Sequence, residues 1–223
     1  MSLAAVLFDL DGTLVDTAPD LVAVLNRMLR EHGRPSMPYA VARNEVSNGA
    51  AGLLRLGFGD SGTAEAVAHL RQRFLDLYRD NICVNSRLFI GIESISKSLS
   101  NRTWGIVTNK PHALTEALLD GLGIAVESGC VVSGDRLPQR KPDPAPLKLA
   151  AAELGVSPGE CVYIGDAPRD IEAGKAAGMR TVAAAYGYIR PGENYLAWGA
   201  DAVLRRPSEL ASVLSALEEK KAE

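Results

Sequence analysis

Near its beginning the chain reads LAAVLFDLDGTL at residues 3–14, an apolar run followed at once by two aspartates. The run has the length and composition of a buried strand, so we expect Asp9 and Asp11 to leave a sheet at its carboxyl end. Residues two apart on an extended chain point the same way, and neighbouring carboxylates need a shared proton or a cation. The pair therefore predicts a general acid with a raised pKa or a metal site. The alternative is a plain Asp-Gly turn at Asp11 and Gly12.

The rest of the chain alternates between strand and helix patterns. Strand-like apolar runs recur at residues 104–108, 130–132, 161–164 and 181–185, with a weaker one at 202–204. Between them, residues 111–122, 144–154 and 168–177 each begin with proline and end near glycine, as helices commonly do. This alternation predicts an α/β fold with a doubly wound, Rossmann-like parallel sheet and helices on both faces.

One region breaks the alternation. Residues 17–85 contain no convincing strand, but apolar residues recur at helical spacing at positions 21, 25, 28 and 29 and again at 67, 70, 74, 77 and 78. We therefore predict a small all-helical domain at residues 17–85, inserted after the first strand. The catalytic core would then comprise residues 1–16 and 86–223.

Composition narrows the classes of partner and location. The chain has 223 residues and a net charge of −3, with no basic block that would follow a nucleic-acid backbone, so nucleic acid is not expected as a partner. No apolar stretch approaches the ~20 residues of a membrane span, so no membrane partner is expected. Cys83, Cys130 and Cys161 are widely spaced and form no CxxC pair, which is typical of reduced thiols in a cytoplasmic protein. The sequence is compatible with a monomer or a homodimer.

A second acidic pair lies in GDAPRD, residues 165–170, directly after an apolar strand. If this strand is a neighbour of the first one, Asp9, Asp166 and Asp170 converge on one point. Carboxylate oxygens of this kind suit Mg²⁺ better than zinc or copper. The alternative is that Asp166 is a turn residue and Asp170 a first-turn carboxylate favoured by the helix dipole.

Two further elements suit a phosphate. Thr108 ends one strand and opens a helix, so its hydroxyl and the following backbone N–H groups, beginning at Asn109, are placed to bind a phosphate; an ordinary helix cap is the alternative. Lys141 lies in a loop before a helix, where its ammonium would neutralise a phosphate and a carboxylate together. An exposed loop lysine is the alternative there.

Taken in order, Asp9 with Asp11, then Thr108, Lys141 and the second acidic pair resemble the four motifs of the haloacid dehalogenase superfamily, over nearly the whole chain. The resemblance implies that Asp9 is the nucleophile and Asp11 the general acid and base. It further implies that Thr108 and Lys141 stabilise phosphate and charge. The insert would be the helical cap of that superfamily.

The same resemblance implies a Mg²⁺ cofactor. Its ligands would be Asp9, the backbone carbonyl of Asp11, and Asp166, with Asp170 binding directly or through water. Ala167 departs from the pattern, because many relatives carry a polar or acidic residue there that can hold metal-bound water.

The residue types favour phosphoryl transfer over dehalogenation. Displacing a halide needs neither a proton donor nor a metal, whereas hydrolysis of a phosphate monoester uses both. We therefore expect an enzyme, a phosphatase that acts on a small phosphorylated metabolite through an aspartyl-phosphate intermediate.

The substrate is expected to be chosen by the cap. The segment VSNGA at residues 46–50 resembles that of phosphoglycolate phosphatases, which predicts Asn48 and Gly49, with Thr108, Asn109 and Lys141, as substrate-binding residues. Arg43 is placed to pair with a substrate carboxylate; a solvated helix charge is the alternative.

A finer likeness is to N-acetylmuramic acid 6-phosphate phosphatases of peptidoglycan recycling, a branch of bacterial carbohydrate metabolism. It rests on Arg43 with residues 47–50, and on residues 104–111, 169–172, 186–189 and 198–201. Both substrates carry a carboxylate and a phosphate, so Arg43 does not separate them.

Two rival functions share these motifs, a sugar phosphomutase of the β-phosphoglucomutase type and a non-catalytic sensor of phosphorylated ligands.

One further motif is not expected to be functional. GFGDSG at residues 57–62 fits the GxGxxG pattern of dinucleotide sites, but the residues before it have the pattern of a helix and not of a strand.

Overall fold

The computed structural model describes residues 3–60, 62–92, 99, 102–124 and 129–219. The strands in this part of the chain are β1 (Ala5–Phe8), β2 (Val15–Asp16), β3 (Arg87–Leu88), β4 (Thr103–Val107), β5 (Val131–Val132), β6 (Cys161–Gly165), β7 (Arg180–Ala184) and β8 (Ala202–Leu204). The helices are α1 (Ala18–Glu31), α2 (Tyr39–Arg43), α3 (Gly49–Phe58), α4 (Ala64–Asp80), α5 (His112–Gly121), α6 (Ala145–Glu153), α7 (Pro168–Ala177) and α8 (Leu210–Glu219).

Six strands form one parallel sheet in the order β5-β4-β1-β6-β7-β8. The chain builds the sheet outward from β1 through β4 to β5, and then returns to the other side of β1 for β6, β7 and β8. This change of direction beside β1 is a topological switch point, where open α/β sheets bind ligands. The predicted doubly wound parallel sheet is confirmed.

The core lies on both faces of this sheet because successive strand residues point to opposite sides. On β1, Val6 and Phe8 pack into one apolar cluster with residues of α5 and α8. Ala5 and Leu7 pack into another with residues of α6 and α7. All four β1 side chains are fully buried, which explains why this strand is continuously apolar and does not alternate with polar residues.

Helices α1 to α4 lie together between residues 18 and 80, and we call this segment the helical cap. The helices share an apolar cluster that includes Leu25, Met28, Leu53 and Phe74. These residues follow the helical spacing in the sequence, because each helix buries the face that carries its apolar positions. The division of the chain into a cap domain and a core domain stays a prediction.

A short two-stranded ribbon that the sequence did not predict joins the two ends of the cap. Strands β2 and β3 pair in antiparallel fashion, with Val15 opposite Leu88. Beside them the buried carboxylate of Asp20 accepts hydrogen bonds from Asn85 N and Ser86 N at 2.8 and 2.9 Å, and from Ser86 Oγ at 2.7 Å. The segments that enter and leave the cap are therefore bonded to each other.

The fold decides how the glycine-rich motif at residues 57–62 is interpreted. The residues before Gly59 form helix α3, so the GxGxxG pattern does not follow a strand; its fifth residue, Ser61, lies outside the described residues. In the described part of the chain no helix combines the length and the apolar composition needed to cross a bilayer.

Candidate active site

The site lies where three neighbouring strands end. In the register of the sheet Phe8 lies beside Ile106 on β4 and Ile164 on β6. Asp9, Thr108 and Asp166 therefore leave the sheet at the same edge, one or two residues beyond that level. This arrangement confirms the expectation that the strands carrying the two acidic pairs are neighbours.

Three carboxylates meet at this edge. Asp9, Asp166 and Asp170 offer oxygens that all lie within 4.8 Å of one another, and the three residues are 6%, 2% and 0% exposed. Burial raises the pKa of Asp9 to about 6, although Lys141 opposes the rise. Burial likewise raises the pKa of Asp166 to about 7, and the charges of Asp9 and Asp170 add to the rise. The cluster is therefore costly to ionise without a cation.

The donor set fits a hard divalent cation. All three side chains offer oxygen, which Mg²⁺ prefers. Asp170 Oδ1 lies 2.8 Å from Lys141 Nζ and has no other polar contact with the described residues, so this buried oxygen keeps acceptor capacity for a cation. Its other oxygen accepts the N–H of Ala167 at 3.0 Å. Residue 167 thus supports Asp170 through its backbone, although its side chain offers no polar group.

Lys141 is a buried part of the site and not an exposed loop residue. Its ammonium lies 2.9 Å from Asp9 Oδ1 and donates hydrogen bonds to Tyr163 Oη at 2.7 Å and to the Val107 carbonyl at 3.0 Å. Burial opposes the charge, but Asp170 and Asp9 outweigh it and raise the pKa of Lys141. The lysine therefore stays protonated against the carboxylate cluster.

Asn109 holds the Lys141 loop in place. Its side-chain amide donates to the Lys141 carbonyl at 3.0 Å and accepts the Lys141 N–H at 3.1 Å. Beside it, Thr108 is buried, and its hydroxyl accepts the N–H of Lys110 at 3.2 Å. Both residues lie at the wall of the site, and the bonds of Asn109 place it as a positioning residue for Lys141.

Lys110 is a site residue that the sequence reasoning did not single out. It is 8% exposed, and its ammonium donates to Asp11 Oδ1 at 3.0 Å and to Tyr78 Oη, on the cap, at 3.0 Å. Thr17 Oγ1 donates to the same Asp11 oxygen at 2.6 Å. Both donors bind Oδ1, which leaves Asp11 Oδ2 available for proton transfer. The signal in the sequence was a lysine two residues after a motif threonine.

Glycines make room for the acidic cluster. Gly12 has φ +86°, and a side chain there would collide with the carboxylate of Asp166. A Cβ on Gly187 would collide with the Asp166 side chain and the Gly12 carbonyl. The next residue, Tyr188, donates its N–H to Asp166 Oδ2 at 2.8 Å. Close backbone approach thus fixes this carboxylate.

A cavity of about 370 Å³ opens from the carboxylates toward the cap. Its polar lining includes the predicted residues Asp9, Asp11, Asn48, Gly49, Thr108, Asn109 and Lys141, together with Ser47, Arg71, Lys110, Arg140 and Arg169. Its apolar lining comes mostly from the cap and includes Leu21, Val46, Phe74 and Leu75. Core and cap therefore both contribute walls.

The cap contacts the acidic cluster directly through Ser47, whose hydroxyl donates to Asp166 Oδ2 at 2.7 Å. The Arg169 guanidinium donates to the Ser47 carbonyl and, at 3.4 Å, to Asn48 Oδ1. Neither Ser47 nor Arg169 was predicted as a site residue, because only the tertiary fold brings these two segments together.

Arg43 lies apart from the other predicted residues. Its guanidinium donates to the Gly187 carbonyl at 3.2 Å and stacks on the Tyr188 ring, 4.7 Å from the ring centre. It is not among the residues that line the cavity. The fold therefore brings together the predicted core residues with Asn48 and Gly49, whereas Arg43, at the end of α2, packs against the loop after β7.

The parallel sheet, its acidic edge and the buried lysine together are typical of an α/β enzyme with its site at the carboxyl ends of the strands. Residues 6–184 match a family model described as "Haloacid dehalogenase-like hydrolase", and the chain belongs to this family. The prediction of the superfamily from the four motifs is confirmed.

Two curated relatives that match nearly the whole chain are phosphatases. The chain is 44% identical over 216 residues to an N-acetylmuramic acid 6-phosphate phosphatase of Pseudomonas aeruginosa, covering 96% of each protein. It is 42% identical over 210 residues to a phosphoglycolate phosphatase of Xanthomonas campestris pv. campestris, covering 92% of this chain and 94% of the relative. Among solved structures, a predicted phosphoglycolate phosphatase from Haemophilus somnus superposes with a TM-score of 0.84 at 26% identity, over 96% of this chain and 98% of that one.

Proposed function

We propose that this enzyme is a phosphatase that hydrolyses a small phosphate monoester through a phosphorylated Asp9. The observation that carries the proposal is the convergence of three buried carboxylates on one point, with the Lys141 ammonium 2.9 Å from the oxygen of one of them, Asp9. Such a site repels anions unless cations balance it, and phosphoryl transfer depends on that balance.

Asp9 supplies the nucleophile. Its Oδ1 is held by the Leu10 N–H at 2.8 Å and by Lys141, which fixes the direction of the carboxylate. Attack of a carboxylate oxygen on phosphorus forms the Asp9–phosphate bond as the bond to the alkoxide breaks. The positive charge of Lys141 lowers the repulsion between the two anions during this step.

Asp11 moves the proton. With Oδ1 bound by Lys110 and Thr17, its Oδ2 donates a proton to the leaving alkoxide and then accepts one from the water that attacks the phosphoaspartate. This second step releases inorganic phosphate and restores the Asp9 carboxylate.

The site fits Mg²⁺, which would be held by Asp9, Asp166 and Asp170, with the Asp11 carbonyl as a predicted fourth ligand. When bound, the cation supplies charge that stabilises the phosphoryl oxygens in the transition state. Ser47, Thr13 and the Tyr188 N–H fix Asp166 for this role.

The leading substrate is N-acetylmuramic acid 6-phosphate, with phosphoglycolate as the second candidate. The names of the relatives support both. The cavity supports the larger compound, because about 370 Å³ with apolar walls is more than a two-carbon acid fills and is within the range of small-molecule sites. A role in cytoplasmic peptidoglycan recycling follows if this ranking holds.

Turnover of p-nitrophenyl phosphate tests the activity. We expect hydrolysis that requires Mg²⁺, is lost in Asp9→Asn, and is kept in Asp80→Asn, an exposed aspartate at the end of α4. Release of phosphate without added sugar bisphosphate would separate a phosphatase from a phosphomutase. Turnover unchanged by Asp9→Asn would refute the nucleophile, and higher kcat/KM for hexose 1-phosphates than for both acids would refute the substrate ranking.

A further inference from the structure

Three of the five cationic side chains that line the cavity are already bonded to other groups of the protein. Lys141 and Lys110, at its base, are buried and paired with Asp9 and Asp11 at 2.9 and 3.0 Å. Arg169 is hydrogen-bonded to residues 47 and 48 of the cap. These three serve the carboxylates and the cap and are not available to a second charge on the substrate.

Helix α4 presents a separate stripe to the cavity. Arg71, Phe74, Leu75 and Tyr78 all line it, and their spacing of three, four and seven residues places them on one face of the helix. Tyr78 binds Lys110 at the base of the cavity at 3.0 Å. Arg71 is two turns nearer the start of the helix, so the apolar side chains of Phe74 and Leu75 lie between it and the catalytic end.

Arg71 differs from the other two arginines of α4. Arg73 pairs with Glu31 at 3.2 Å and Arg79 pairs with Asp76 at 2.7 Å, both on the protein surface. Arg71 faces the cavity and makes no hydrogen bond or ion pair with any described residue. Its guanidinium is therefore free for a ligand at the end of the cavity opposite the phosphate.

We propose that Arg71 is a specificity-determining residue that binds a carboxylate on the substrate, at a distance from the phosphate. The inference rests on the proposed phosphatase activity and adds the substrate class: a sugar-sized phosphate ester that carries a second anionic group and an apolar part between the two. A guanidinium binds a carboxylate through two parallel hydrogen bonds, which gives selectivity as well as affinity.

Two other arginines provide a comparison. Arg43 is engaged with the Gly187 carbonyl and the Tyr188 ring, away from the cavity. Arg140 lines the cavity without an ion pair in the described chain, but it belongs to the core loop beside Lys141. Because Arg140 is adjacent to Lys141 at the catalytic end, we expect it to act on the phosphate, whereas Arg71 lies on the cap.

The test compares two substrates that differ by one lactyl ether group, which carries the carboxylate. N-Acetylmuramic acid 6-phosphate carries a lactyl carboxylate that N-acetylglucosamine 6-phosphate lacks. We expect Arg71→Ala to lower kcat/KM for N-acetylmuramic acid 6-phosphate roughly 10- to 100-fold, the range of a charge-assisted hydrogen bond. The kcat/KM for N-acetylglucosamine 6-phosphate is expected to change less than about threefold. Arg71→Gln is a second variant, and Arg73→Ala, on the surface of the same helix, is expected to leave both values unchanged.

The outcomes separate the two proposals. An equal fall for both substrates in Arg71→Ala, no fall for either, or a wild-type enzyme with no preference for the acid would overturn the role of Arg71. A change of the acid-to-neutral ratio in Arg43→Ala or Arg140→Ala, but not in Arg71→Ala, would assign the carboxylate to another arginine and overturn it too. Absence of p-nitrophenyl phosphate turnover by the wild type would instead refute the proposed function itself.

Discussion

The role of Lys110 leads to a prediction that depends on the leaving group of the substrate. Lys110→Met keeps the length and apolar stem of the side chain but removes the charge bound to Asp11. At 3.0 Å and an effective dielectric constant of ~20, the two charges attract by about 5 to 6 kcal/mol, and the cost of burying the ammonium offsets several kcal/mol of this. The net stabilisation of Asp11 by Lys110 that remains is about 1.5 to 3 kcal/mol, the usual value of a hydrogen bond to a charged group.

This loss falls on proton transfer, because Lys110 fixes the oxygen of Asp11 opposite the one that donates. An alkoxide leaving group needs the proton, whereas p-nitrophenolate leaves without one. We expect kcat/KM for an alkyl phosphate to fall roughly 10- to 100-fold, and that for p-nitrophenyl phosphate to fall several times less. kcat/KM is the parameter to compare, since it reports steps up to the first irreversible one, here the phosphorylation of Asp9.

The control is Lys148→Met, which removes an exposed lysine on α6 and is expected to change neither value. Circular dichroism and thermal melting would show that each variant is folded. Equal falls for the alkyl and aryl substrates would refute the reasoning, because Lys110 would then act on the phosphate and not on Asp11. No fall for either would mean that Thr17 alone orients Asp11.

Three further predictions concern the acidic cluster and its supports. Removal of Mg²⁺ with EDTA is expected to abolish phosphatase activity, and Mg²⁺ at 100 times its Kd should stabilise the fold by about 2.7 kcal/mol, measured as a rise in Tm; an unchanged Tm would contradict the cation site. Gly187→Ala should weaken Mg²⁺ binding at least about tenfold by calorimetry, since its Cβ displaces Asp166, and wild-type affinity would argue against the close approach. Tyr188→Phe should lower the free energy of unfolding in urea by about 1 to 3 kcal/mol, because its hydroxyl accepts the buried N–H groups of Thr17 and Ala18 at 2.7 and 2.9 Å; a loss below about 0.5 kcal/mol would mean that water replaces it.

The sheet and the base of the site were predictable because their signals are local. Each main strand is a short apolar run, and Asp9 and Asp166 each follow one closely, so the sequence alone placed each aspartate at the carboxyl end of its own strand. The neighbour relation between β1 and β6 was the single condition, and the sheet order meets it.

The walls of the site were less predictable because they depend on contacts between distant segments. The hydrogen bond of Ser47 to Asp166 spans 119 residues, and the pair of Lys110 with Asp11 spans 99. From the sequence alone, Ser47 has an ordinary explanation as a loop serine, and Lys110 has one as a lysine at the start of a helix. Arg43 illustrates the same difficulty: its position in the sequence suggested the cavity, and the fold gives it the Tyr188 ring instead.

The ribbon β2–β3 escaped prediction because each strand is only two residues long, too short for a period-two pattern. The buried carboxylate of Asp20 stabilises the ribbon by accepting hydrogen bonds from the Asn85 and Ser86 N–H groups.

This bonded ribbon has a mechanical consequence for the cap. Two independent tethers would allow the cap to twist as well as swing, whereas two tethers bonded side by side resist twisting and permit rotation about one axis. The hydroxyl of Tyr188 holds the start of this axis to the core through Thr17 and Ala18. A cap that moved about such an axis would return to the same orientation each time, and the stripe of α4 that ends at Arg71 would then meet each substrate molecule in the same register.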